Sequence, residues 1–86
     1  GEEIGGFYTL RIQVEEGDEK NNHAVILKDL LAMTPYVDWN HPPEVRSVEE
    51  APRQVDARVM VKEESHLHEL MALVREWGYA CSLKNL

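Results

Sequence analysis

The chain has 86 residues, 43% hydrophobic and 29% charged, with a formal net charge of -7; this suits one small globular domain and leaves little room for a second core. Its apolar runs, such as Ala24 to Leu27, are far too short to cross a bilayer, and an acidic balance opposes nucleic acid, whose phosphates are neutralised by Lys and Arg. A single cysteine, Cys81, excludes an internal disulfide and any multi-cysteine zinc site.

Residues 1–6 read as a flexible lead-in, with Gly5-Gly6 just before the first strand. From Phe7 to Val14, Tyr8, Leu10, Ile12 and Val14 alternate with Phe7, Thr9, Arg11 and Gln13, the period-two pattern of a half-buried strand. Glu15, Glu16 and Gly17 break it, and Asp18 is the expected N-cap of a helix running to Met33. One face of that helix should be apolar, since His23, Ile26, Leu27, Leu30 and Leu31 recur at three- and four-residue spacing, with His23 at its edge. Thr34 and Pro35 end it.

Residues 35–44 read as an irregular loop, because Pro42 and Pro43 remove two ladder donors. A second strand is expected over Val45 to Glu49 and a turn at Ala51, Pro52 and Arg53. Gln54 to Val61 has the cleanest alternation in the chain, with Val55, Ala57, Val59 and Val61 on one side and Asp56, Arg58 and Met60 on the other. A second helix, Glu63 to Trp77, carries a stripe of Leu67, Leu70, Met71, Val74 and Trp77. Gly78 stands where a left-handed C′ glycine closes a helix. Tyr79, Cys81 and Leu83 then alternate as a last strand.

The order β-α-β-β-α-β defines an α+β, ferredoxin-like sandwich: a four-stranded antiparallel sheet with two helices on one face. The strands at 7–14 and 54–61 are expected at its centre, parallel to one another. A first residue of Gly rather than Met suggests a domain cut from a larger parent. With no disulfide available, a cytoplasmic setting is the expected one.

No residue pattern amounts to an active site. There is no nucleophile elbow, phosphate-binding loop, dinucleotide fingerprint or paired-histidine metalloprotease motif. Cys81 should face the core, where a thiol away from positive charge is inert. His66 and His68 are two apart on a helix and point to different sides, so they make a poor metal pair; a solvated first turn explains them better. His23 reads as a partly covered surface histidine. Asp38 and His41 would chelate only with a third ligand that the sequence does not supply. A weak histidine-based metal module thus stays an alternative, and no cofactor is implied.

Two places suit recognition. The open sheet face should carry Phe7, Thr9, Arg11 and Gln13 beside Asp56, Arg58 and Met60, with Ser82 and Lys84 at its margin. RNA-binding domains of this topology stack bases on aromatics of the two central strands, and only Phe7 is available here. A mixed Arg/Asp surface around Met60 suits a protein contact or a homodimer. The loop offers Tyr36 and Trp39, residue types that dominate binding hot spots, although Trp39 has the alternative of folding back over the first helix. Phe7, Arg11, Tyr36, Trp39, Arg58 and Met60 are therefore the candidate interaction residues.

In element order from Phe7 to Leu83 the chain resembles the ACT-like regulatory modules, which pair with one another to sense small molecules. Where those carry an Asp-x-Pro-Gly turn, Val14-Glu15-Glu16-Gly17-Asp18 has no proline and a displaced glycine, so no ligand site carries over. The runs Val37-Asp38-Trp39, Val55-Asp56-Ala57-Arg58-Val59 and Gly78-Tyr79-Ala80-Cys81-Ser82-Leu83 are similar to the inhibitory prosegments of zinc carboxypeptidases. That resemblance implies a domain capping a peptidase cleft. An acylphosphatase-like activity needs an arginine in the loop after the first strand, and Glu15-Glu16-Gly17-Asp18 is acidic instead. The expected function is a non-catalytic regulatory or interaction module of a larger protein. It would act through its open face, an edge strand or the 35–44 loop on a protein partner or second copy, with a small-molecule effector possible, no nucleic acid and no membrane insertion by this segment.

Overall fold

A computed structural model describes residues 5–14 and 19–84. Six elements follow in the order β1 (Gly6–Gln13), α1 (Glu19–Ala32), β2 (Glu44–Ser47), β3 (Gln54–Val61), α2 (Glu64–Glu76) and β4 (Ala80–Leu83). The strands form one sheet in the order β2-β3-β1-β4, with every neighbouring pair antiparallel. This is the ferredoxin-like α+β arrangement that the element order predicts. One expectation is corrected: the two central strands, β1 and β3, run antiparallel rather than parallel. The α1 crossover brings β2 back parallel to β1, and the turn at 48–53 reverses the chain. β3, inserted between them, therefore opposes both.

The alternation in β1 and β3 does what it predicts. Leu10, Ile12, Val55, Ala57, Val59 and Val61 are wholly buried beneath the helices. From above, α1 contributes Ala24, Leu27 and Leu31, and α2 contributes Leu67, Leu70, Met71 and Val74. Full burial of each large aliphatic side chain stabilises the fold by about 1.5–3 kcal/mol. The α1 stripe differs from expectation in two residues: Ile26 leaves it and Ala24 joins it. Leu27 and Leu31 set the buried direction, Ala24 lies three residues before Leu27 on that side, and Ile26 stands about 100° away. Ile26 is consequently 48% exposed, beside the exposed Val25 and Met33.

The helix ends follow from local chemistry. α1 tightens before Pro35 through the amides of Met33 and Thr34, which donate to Leu30 and Leu31, while Thr34 Oγ1 donates to the Leu31 carbonyl at 2.9 Å. α2 closes in a Schellman motif: the Gly78 amide donates to Arg75 and the Tyr79 amide to Val74. Gly78 sits at φ +101, as its C′ position predicts. Gly5 and Gly6 are not a loose lead-in. Gly6 pairs with Val61 in the ladder, and a Cβ at Gly5 would collide with the Val61 carbonyl. The rest of that expected lead-in, residues 1–4, the N-cap reading of Asp18 and the turn at Glu15–Gly17 lie outside the described residues.

Gly78→Ala meets no side chain but must hold a positive φ. It should cost about 1–2 kcal/mol, read as a lower urea midpoint with an unchanged slope. A midpoint equal to wild type would contradict the left-handed closure of α2.

Candidate functional site

The sheet face away from the helices is a grid whose rows are set by the ladder register. Phe7 lies beside Met60 in the first row. Glu44, Arg58, Thr9 and Lys84 make the second, running from β2 across to the end of β4. Arg46, Asp56, Arg11 and Ser82 make the third. Thr9, Glu44, Arg46, Asp56, Arg58 and Lys84 line a shallow concavity of about 310 Å3.

Asp56 is the hub of this grid, its side chain only 12% exposed. Lys84 Nζ pairs with Oδ2 at 3.2 Å and Gln54 Nε2 donates to Oδ1 at 2.9 Å. Both carboxylate oxygens are thus occupied. Arg11 and Arg46, its direct cross-strand neighbours, make no ion pair among the described residues, and neither does Arg58. Arg11 Nε is shielded from water with no hydrogen-bond partner. Four of the nine basic residues of an acidic chain, Arg11, Arg46, Arg58 and Lys84, share this face with two carboxylates, Glu44 and Asp56.

An aromatic cluster occupies one end. The Arg58 guanidinium sits 4.1 Å over the Phe7 ring, a cation–π contact worth about 0.5–1 kcal/mol where exposed. His41 meets the same ring edge-on at 5.7 Å. His41 arrives on a loop tied to β3: Val37 bridges to Val61, and the Asp38 amide donates to the Met60 carbonyl at 2.9 Å. Asp38 then folds the loop on itself. Its Oδ1 accepts from the Asn40 amide at 3.0 Å, and Oδ2 lies 3.4 Å from His41 Nδ1. The Asn40 hydrogen bond is the main cause that holds the Asp38 carboxyl below the usual carboxylate range. Trp39, in the middle of this turn, is 80% exposed. The alternative that it folds back to plug the core is not what the structure adopts. Pro43, which sequence reasoning treated only as a breaker of strand pairing, is fully buried.

Of the candidate residues, Phe7, Arg58 and Met60 come together, with Trp39 projecting from the adjoining loop. Arg11 lies two residues along β1 from Thr9 on the same face. Tyr36 does not join them: it packs against the core, and its ring lies 5.5 Å from His66 at the start of α2. Sequence reasoning missed Glu44 and Arg46, because a strand of four residues shows too little alternation to assign a face. It also missed His41 as a neighbour of Phe7, a contact between residues 34 apart in sequence.

His66 Nε2 lies 3.3 Å from Glu63, and His68 is exposed. His23 Nδ1 and the Tyr79 hydroxyl are hydrogen-bonded at 2.8 Å, with burial raising the Tyr79 pKa. Cys81 faces the core as predicted, and burial raises its thiol pKa despite the opposing pull of Arg75. No three His, Cys, Asp or Glu among the described residues are placed to hold a metal ion. No helix among them is long and apolar enough to cross a membrane. No protein-family model, curated protein or solved structure matches the chain.

The Asp38 turn has a pH signature. A carboxyl with a depressed folded pKa stabilises the fold above its unfolded value, and that contribution is lost as pH falls through the folded value. Urea melts between pH 2 and 6 should therefore show a shallower acid decline in Asp38→Asn than in wild type. Identical slopes would contradict the turn.

Proposed function

We propose that this domain is a non-catalytic interaction module that binds a protein surface through the open sheet face, centred on Phe7, Arg58 and Met60 with Trp39 at the rim. The observation that carries the reading is the set of guanidiniums without an ion pair among the described residues, Arg11, Arg46 and Arg58, arrayed on the sheet beside an exposed aromatic cluster. Arginine and aromatic side chains are the usual anchors of protein interfaces. Arg58 is held in place by the Phe7 ring, so less of its freedom is lost on binding.

The chemistry elsewhere supports a module without catalysis. The only thiol is buried with a raised pKa, and the Asp38–His41 pair, with its exposed imidazole, serves to fold its own loop. Both family resemblances point the same way, since ACT-like modules and peptidase prosegments work by contact with another surface. In a larger parent protein, such a face would couple association to the activity of its neighbours.

Site-specific photo-crosslinking tests the reading. A crosslinking amino acid at Phe7 or Trp39 should trap one defined protein species in cells. The same probe at Glu69, on the exposed side of α2, should not. Equal labelling from both sides, or none from Phe7 and Trp39, would contradict the assignment.

A further inference from the structure

We propose that the partner recognised by the open face is a second copy of this chain, placed by a twofold axis along the seam between β1 and β3. This inference rests on the open face being the binding surface and adds the identity of what covers it. A twofold interface must be self-complementary: where one residue meets another, the second must meet the first in return. The grid satisfies that requirement.

An axis along the β1–β3 seam lays β1 over the partner copy's β3 and β4 over the partner copy's β2. Row by row, Phe7 then faces Met60 of the other copy, and Met60 faces Phe7. Arg11 faces Asp56, and Asp56 faces Arg11. Lys84 faces Glu44, and Glu44 faces Lys84. Arg58 faces the Thr9 hydroxyl, and Arg46 faces Ser82. Each charge thus meets an opposite charge or a hydroxyl, and the two apolar residues meet each other. These pairings come directly from the register within one copy. Arg11, which has no ion-pair partner among the described residues, gains the Asp56 carboxylate as Lys84 turns from Asp56 to Glu44 of the other copy. A second axis, perpendicular to the strands, also pairs opposite charges, Glu44 with Arg46 and Arg58 with Asp56. It places Phe7 over Gln13 and Met60 over Gln54, however, and so leaves the apolar residues without apolar contact.

The geometry also sets the strength. Sheets pack face to face with their strands nearly aligned and about 10 Å apart. From strand spacing and length the face covers roughly 400–500 Å2 per copy. A total of about 900 Å2 belongs to weak, exchanging complexes. Two chains of net charge -7 repel each other as wholes, but at 0.15 M salt that field is screened beyond about 8 Å. The face contacts are left to decide.

Glu44 and Lys84 lie on opposite edges of one sheet, about 14 Å apart by strand spacing, so any coupling between them arises across the interface. Sedimentation velocity at 0.15 M salt should show wild type moving from monomer to dimer between about 20 µM and 1 mM. Glu44→Lys and Lys84→Glu should each weaken association at least tenfold, because each homodimer then opposes like charges. An equimolar mixture of the two variants should recover association to within about threefold of wild type. Far-UV circular dichroism checks that both variants fold. The matching changes on the helical side, Glu69→Lys and Lys28→Glu, should leave the wild-type association in place singly and mixed. Wild type that stays monomeric at 1 mM, or a mixture that fails to recover, overturns the second-copy assignment. If crosslinking from Phe7 still traps a different protein, the interaction module stands with another occupant; if it traps nothing, both fail.

Discussion

Eight consecutive residue pairs between β1 and β3, from Gly6 with Val61 to Gln13 with Gln54, decide which way the central side chains of the sheet point. In this register Leu10, Ile12, Val55, Ala57, Val59 and Val61 share one side, and Phe7, Thr9, Arg11, Asp56, Arg58 and Met60 share the other. A slip of one residue in either strand would turn valines to water and bury arginines. The cost would be several kcal/mol for each buried charge left unpaired. The helices therefore cover the apolar side, and the short edge strands β2 and β4 inherit their facing from the centre.

The same constraint builds the proposed binding surface. Charges in an ordinary solvated sheet face pair with their neighbours, yet here Asp56 is committed to Lys84 and Gln54. The guanidiniums of Arg11, Arg46 and Arg58 remain without a carboxylate among the described residues. Arg58 is braced by Phe7, and Phe7 by His41, whose loop is tied back to β3 through Asp38 and Val37. The result is a preorganised array on a rigid sheet with Trp39 at its rim. Association through such an array loses little conformational freedom on binding, which suits the contact role proposed for it.

Much of this was legible in the residues alone, and the exceptions have physical reasons. Strong alternation over eight residues identified both central strands and the members of the open face, and Gly78 announced the end of α2. Strand direction was misjudged for β1 and β3: periodicity carries no sign, but the connections read from the sequence, a crossover and then a tight turn, already require β3 to oppose β1. Ile26 was assigned to the core because spacing alone cannot rank two adjacent apolar residues, and Ala24 takes a buried place instead. Glu44 and Arg46 went unseen because four residues give too short a pattern. The contacts among Phe7, His41 and Arg58 join three separate segments, and no local signal encodes them.

The central claim is that the open face is the working surface. The most direct measurement is a dilution series of amide NMR spectra, from about 1 mM to 20 µM at 0.15 M salt. Concentration-dependent shifts should concentrate in Phe7–Gln13, Glu44–Arg46, Gln54–Met60 and Ser82–Lys84, with Trp39 and His41 following. Shifts centred instead on the exposed apolar residues of α1, Val25, Ile26 and Met33, would contradict the claim and move the contact surface to the opposite side of the molecule.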